Sequence, residues 1–355
     1  MLVIRAAKLS DLDALIEMAR QAGSGMTTLK PDPEMLGQRL ATSEASFAET
    51  IAPEARDYMF VLEHTDAGGK PDSIAGVCAI KSAVGLTEPF YNYRIGTLVH
   101  CSRELDVFTR METLYLSNDL TGSTELCSLF LLPQYRAGFN GKWLSKSRFL
   151  FIAQFQHLFT EKIIAEMRGF QAEDGTSPFY EGLGRHFFKM DFNHVDGLTA
   201  IGKKSFIAEL MPRQPLYVDY LPQAAIDVIG QVHTSTQPAR RLLEQEGMHY
   251  EGYVDIFDAG PVLQGRASEL RAVRDSVLAT AVLLDDGAGH EETAHETEHV
   301  LIANTRLDDF RMILTRAVAG ATRVALTAQE LQQLHCAPGD DVRTLTLITR
   351  KSAHG

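Results

Sequence analysis

An apolar run, Cys127–Leu132, is followed within ten residues by Arg136, Gly138 and Gly141, and then by a helical stretch bearing Lys142, Lys146 and Arg148. A strand that passes through a glycine-bearing loop into a helix can close its backbone N–H groups on an anion, phosphate above all. The same residues also suit an ordinary tight turn. No acidic residue lies between Cys127 and Thr160, so these four cations make a local basic patch. A second candidate is His233 in "GQVHTSTQPA", a side chain that titrates near neutral pH. By itself it reads as a cap on the loop that follows. His290, His295 and His299 are spaced by five and four residues in an acidic run, which matches no known metal cage.

The surrounding pattern has to position these groups. "LVIRAA" reads as a strand, and "SDLDALIEMARQAG" as a helix with Leu12, Leu15, Ile16 and Ala19 on one face, ending at Gly23. "YMFVLEHTDAGGKPDSIAGVCAIKSAV" reads as a hairpin, and "YNYRIGTLVHCSREL" and "METLYLSND" as further antiparallel strands. "ELCSLFLLP" is a buried strand, "GKWLSKSRFLFIAQFQHLFT" a long amphipathic helix and "KIIAEMRGF" a returning strand. "SPFYEGLGRHFFKM" is a short helix with Pro178 near its start. This order predicts an α+β fold with a mixed sheet and one parallel junction, where the glycine-bearing loop sits. Residues 177–192 and 237–257 share a helix, glycine, aromatic-strand pattern that would fit either a duplicated unit or chance.

The chain has 355 residues, 45% of them hydrophobic and 23% charged, enough for two domains and a sizeable core. We expect a segment 1–212 with the anion loop, a helix–strand segment 213–284 that completes the site, and an acidic loop with a small β-rich module at 285–355. The net charge of −12 argues against nucleic-acid binding. Four scattered cysteines without a C-x-x-C pair read mostly as small buried hydrophobes. The first apolar run carries charge and no uncharged apolar stretch reaches about 18 residues, so neither a signal peptide nor a membrane span is expected, and the location expected is cytoplasmic.

The loop resembles the pyrophosphate loop of GNAT acyltransferases, Arg/Gln-x-x-Gly-x-Gly/Ala. Gly141 matches the second glycine, whereas Phe139 stands at the first and Gly138 lies one residue early. A longer resemblance covers about residues 1–280 and, more loosely, the end. "VIRAAKLSDLDALIEMA", "EPFYNYRIGTLVHCS", "LYLSNDLTGSTELCSLFL", "KSRFLFIAQF", "IAEMRGF", "SPFYEGLGRHFFKMDF", "FIAELMP", "VIGQVH" and "EGYVDIFDAGP" occur in the order found in bacterial arginine N-succinyltransferases. The resemblance implies a GNAT-like mixed sheet flanked by helices and transfer of a succinyl group from succinyl-CoA, as co-substrate rather than resident cofactor, to the α-amino group of L-arginine. It implies His233 as proton donor, a succinyl-CoA contact at Leu129 through its backbone, and a CoA cradle at Arg136, Gly138 and Gly141. It also implies a homo-oligomer or pairing with a homologous subunit. Asp119, Glu125, Asp255 and Asp258 are candidates for the acceptor's guanidinium, and Ser123, Thr124 and Arg94 for the carboxylates. An acyltransferase for ornithine and a non-catalytic, CoA-sensing subunit remain as alternatives.

Overall fold

The computed structural model describes residues 1–23, 26, 28–65, 71–200, 205–284 and 297–348. The first segment runs β1 (Leu2–Ala6), α1 (Leu12–Ala22), α2 (Pro33–Phe47), β2 (Asp57–Thr65), β3 (Pro71–Lys81), β4 (Asn92–Ser102), β5 (Val107–Ser117), β6 (Thr124–Leu131), α3 (Asn140–Gln154) and β7 (Lys162–Glu166). It continues through α4 (Arg185–Phe188), α5 (Phe192–Ala200) and α6 (Ser205–Leu210). Next come β8 (Leu216–Tyr217), α7 (Gln223–Ile226), α8 (Gln237–Gln245), β9 (His249–Val254), β10 (Pro261–Arg266) and α9 (Arg271–Asp275). The last module holds β12 (Thr297–Asn304), β13 (Arg311–Val318), β14 (Arg323–Leu326), α10 (Ala328–Leu334) and β15 (Asp341–Thr346), and it takes in β11 (Val277–Leu283), which lies before the expected boundary at 285 but pairs with β14 and β15.

Among the described residues all strands join one 15-stranded sheet, in the order β14-β11-β15-β12-β13-β1-β2-β3-β6-β7-β10-β9-β4-β5-β8. The fold is α+β, and β6–β7 is the parallel junction expected from the strand–helix–strand order. A second parallel pair, β11–β14, lies in the last module and was not foreseen. The three segments share this sheet, because β1 pairs with β13 as well as with β2.

Local chemistry accounts for the element ends. Asp32 caps α2 by accepting from the Met35 N–H at 2.9 Å, with Pro33 at the first helical position. Gly23 ends α1 at φ 73°. Helix α3 departs from the amphipathic reading. Trp143 through Ala153 are all buried, because the helix lies between the sheet, α8, α9 and the last module. Phe151 centres an aromatic cluster with Phe47, Phe60, Phe155 and Phe310, so the last module shares the main core. Of the patch cations, Lys146 is buried against Glu246, which also takes Arg271 at 2.9 Å. The stretch 177–192 runs into α5 rather than a strand, so its likeness to 237–257 ends at the helix and glycine. Cys78 and Cys127 are buried as expected, while Cys101 is exposed. Among the described residues no helix is long and apolar enough to cross a membrane.

Candidate active site

Strands β6 and β7 start together and then separate. They pair only at Thr124↔Ile163 and Glu125↔Ile164. From there β6 stays with β3 as far as Leu131↔Gly76, while β7 follows β10 to Glu166↔Val262. The near ends are tied by Thr160, whose Oγ1 accepts from the Thr124 N–H at 3.0 Å. The far end of β7 is held away by several bonds. Met167 N–H donates to Pro261 O at 3.1 Å, His233 N–H to Arg168 O at 2.9 Å, and Gly169 N–H to Asp258 Oδ2 at 2.7 Å. Gly260 is required here, since a Cβ would come within 1.9 Å of the Met167 carbonyl. The wedge between the strands is a cleft of about 1020 Å³.

On β6 two residues, Ser128 and Leu129, face the single Cys78 of β3, which is a β-bulge. Ser128 takes φ 54°, a left-handed conformation that a serine holds only when its surroundings enforce it. Arg39 of α2 supplies that enforcement. Its guanidinium donates to Ser128 Oγ at 2.7 Å and to Cys127 Sγ at 3.3 Å, and it is fixed by Asp57 at 2.6 and 3.1 Å. The bulge interrupts the regular ladder in the wall of the cleft, next to a free strand edge that a ligand can pair with.

At the mouth, Arg136 donates through Nε to Leu131 O at 2.8 Å and lies over the Phe130 ring. Gly138 has φ 56°, and no side chain caps α3. Among the described residues no backbone carbonyl accepts from the N–H of Gly138, Phe139, Gly141 or Lys142. This is a group of open donors at the positive end of a 15-residue helix. Phe139, which replaces the first glycine of the motif, turns its ring away and packs on His299 with centroids 4.5 Å apart. Its N–H is therefore left among the open donors.

Leu129, Arg136, Gly138 and Gly141 all line the cleft. His233 is not among the lining residues. It stands half-buried between two that are, Arg168 and Ser235. Its Nδ1 accepts from the Ser235 N–H at 3.2 Å and lies 2.7 Å from Ser235 Oγ, so the neutral ring carries its proton on Nε2. Burial and the nearby Arg168 guanidinium push its pKa below the ordinary histidine value, favouring the neutral form.

Of the proposed acceptor contacts, Glu125, Asp255 and Asp258 reach the cleft. Burial, and then the Asp255 charge, push the Asp258 carboxyl well above the usual carboxylate range. Asp119 and Arg94 do not line it. Asp119 accepts from the Tyr253 hydroxyl at 2.9 Å, with Arg94 3.8 Å away. Ser123 and Thr124 are buried, and Thr124 Oγ1 donates to Ser82 O at 2.8 Å. Reading the sequence alone missed Arg39, Glu166 and Arg168, and took Arg148 only for part of a local basic patch. Glu166 and Arg168 alternate along "AEMRG", a period-two signal that could have placed both on one side of the strand. Arg39 carried no local signal. His290 and His295 lie outside the described residues, which hold no group of three or more metal-ligating side chains.

Two family models match: arginine N-succinyltransferase beta subunit over residues 2–272, and the C-terminal domain of that subunit over 289–346. The chain is 46% identical over 347 residues to an arginine N-succinyltransferase of Enterobacter sp. (strain 638), covering 98% of each. It is 45% identical over 351 residues to that of Escherichia coli (strain 55989 / EAEC), covering 99% of each. Among solved structures, the arginine/ornithine succinyltransferase subunit AI from Pseudomonas aeruginosa superposes with a TM-score of 0.87 at 31% identity, over 98% of this chain and 99% of that one. A strand pair splayed beside an uncapped helix, together with full-length similarity at this level, places the chain in the arginine N-succinyltransferase family.

Proposed function

We propose that the chain transfers the succinyl group of succinyl-CoA to the α-amino group of L-arginine, giving N2-succinylarginine and CoA. The observation that carries this is the splay of β6 from β7 beside the open N–H groups that begin α3. A phosphate anion suits that helix end, and an extended amide-bearing arm suits the free edge of β6.

In this reading Arg136, Gly138 and Gly141 cradle the CoA pyrophosphate, with the Phe139 N–H contributing and its ring elsewhere. The pantetheine arm runs along β6 to the bulge. There the Leu129 backbone N–H faces the thioester carbonyl and stabilises the oxyanion formed on attack. The amine adds as its free base, forming the C–N bond. The intermediate collapses with cleavage of the C–S bond, and the electron pair leaves on sulfur. The departing thiolate accepts a hydrogen bond from Nε2–H of the neutral His233 ring and takes the proton that the attacking nitrogen gives up, so that CoA leaves as the thiol. The carboxylates of Glu125, Glu166 and Asp255 give one side of the cleft an acidic character that suits the cationic acceptor.

We also infer that the chain works as an oligomer, either with copies of itself or with a homologous subunit. The Pseudomonas relative is named as a subunit, and the β4–β5 hairpin exposes Leu105, Val107 and Phe108 near its tip. Sedimentation of the purified chain tests this.

The direct test of the reaction is thiol release with succinyl-CoA and arginine, with acetyl-CoA and ornithine as alternates. CoA release with succinyl-CoA and arginine is expected. Release with ornithine in preference to arginine would reassign the acceptor, and release with no pair would leave a CoA-binding subunit.

A further inference from the structure

Arg148 is 2 % exposed, yet it lines the cleft. It projects from the same face of α3 as Gly141 and Leu144, at spacings of three and seven residues. Seven residues carry it about 10 Å along the helix from Gly141, well inside the cleft and beyond the phosphate-binding end. Its guanidinium reaches Cys127 O at 3.5 Å, Ser145 O at 3.3 Å and Ser145 Oγ at 3.2 Å. Cys127 immediately precedes the bulge at Ser128 and Leu129. All three of these bonds are long for a charged donor. Among the described residues no carboxylate lies within ion-pair distance of Arg148, whereas the neighbouring buried cations Lys146 and Arg39 have Glu246 and Asp57. The other cations of the cleft differ in kind: Arg136, Lys142 and Arg241 are exposed, and Arg168 is half-buried.

A guanidinium taken out of water without a counter-ion is costly. A chain that keeps one at the wall of its ligand cleft needs an anion there during its work. The pyrophosphate is accounted for two helical turns away. The remaining anion of the acyl donor is the distal carboxylate of a four-carbon diacid, and its thioester end is placed at the bulge beside Cys127. We infer that Arg148 holds the distal carboxylate of the acyl group and makes the enzyme selective for a dicarboxylic acyl-CoA. This rests on the reading of β6 as the pantetheine-binding strand. An acyl group ending in methyl would leave the guanidinium buried without its anion, so the preference comes from rejection as well as attraction.

The test compares kcat/KM for succinyl-CoA with that for butyryl-CoA, which has the same chain length and no carboxylate, using arginine as acceptor. The unmodified chain should prefer succinyl-CoA. In Arg148→Met the succinyl-to-butyryl ratio should fall by roughly 10²-fold or more, with the loss on succinyl-CoA and with the Kd for free CoA unchanged. Arg148→Lys should recover part of the ratio. An unchanged ratio in folded Arg148→Met overturns the inference. Should that variant fail to melt cooperatively, Arg148→Lys together with the unmodified chain decides. Equal turnover of the two donors by the unmodified chain, or a full ratio in the lysine variant with its fork geometry lost, overturns the inference as well. If the unmodified chain turns over neither donor, the succinyltransferase reading itself fails, an outcome distinct from a failure of the Arg148 assignment.

Discussion

At the scale of single residues, environment decides which ionisable groups can act. His233 has Nδ1 engaged by the Ser235 N–H, and burial lowers its pKa, so the neutral Nε2–H form is the one available to the proposed chemistry. Its sign is that of a depressed histidine: the folded chain binds fewer protons than the unfolded one in the acid range, and protonation displaces the Ser235 N–H contact. The acidic limb of the kcat–pH profile should therefore fall below 6.5, the unperturbed value, and not above it. His233→Ala should lower kcat by about 10²–10³-fold, remove that limb and leave the KM for succinyl-CoA nearly unchanged. Near-normal turnover in this variant would remove His233 from the chemistry. Arg39 acts differently. It touches no proposed substrate position but holds Ser128 in its left-handed conformation.

At the scale of elements, the loop into α3 keeps its backbone donors open in spite of its irregular glycines. Phe139 packs its ring on His299 and keeps its backbone N–H without a backbone acceptor, so in the proposed reading a side chain at the first glycine position is tolerated. Phe139→Gly should change the KM for succinyl-CoA by no more than about threefold, since helix-end donors and dipole act through the backbone. Gly141→Asp should raise the same KM by about tenfold or more, because it sets a carboxylate against the pyrophosphate. The position has room, since the nearest atom to an added Cβ is Leu131 Cδ2 at 3.9 Å. Steady-state titration of succinyl-CoA distinguishes the two. Equal effects would mean that the loop is a turn and the phosphate binds elsewhere.

At the scale of the whole molecule, α3 is the axis on which the segments meet. Lys146 on α3 and Arg271 at the start of α9 share Oε1 of Glu246, which follows α8, and all three side chains are almost wholly buried. Breaking such a set is costly because two like charges remain without a counter-ion. Glu246→Ala should destabilise the chain by about 3–5 kcal/mol, read from the urea midpoint at constant slope. A loss below about 1 kcal/mol would mean that water reaches this cluster. Arg271 also donates to Thr346 O at 3.2 Å, so the same residues tie β15 of the last module to α3, whose N-terminus opens on the cleft.

The order of strands and helices through residue 166 and the parallel junction at the loop bearing Arg136, Gly138 and Gly141 were legible in the sequence, because hydrophobic period and glycine placement are local properties, whereas Leu129 came only from the block pattern. The block pattern also carried the family. The tertiary structure alone decided the rest, since burial and pairing depend on residues far apart in the chain. Lys146 and Arg148 lie two apart on one helix and look alike as a basic run. One meets Glu246, 100 positions away, and the other meets no carboxylate at all among the described residues. Likewise, nothing near Ser128 announces a bulge. It arises where β3 from one hairpin meets β6 out of register and Arg39, 89 positions earlier, fixes the result.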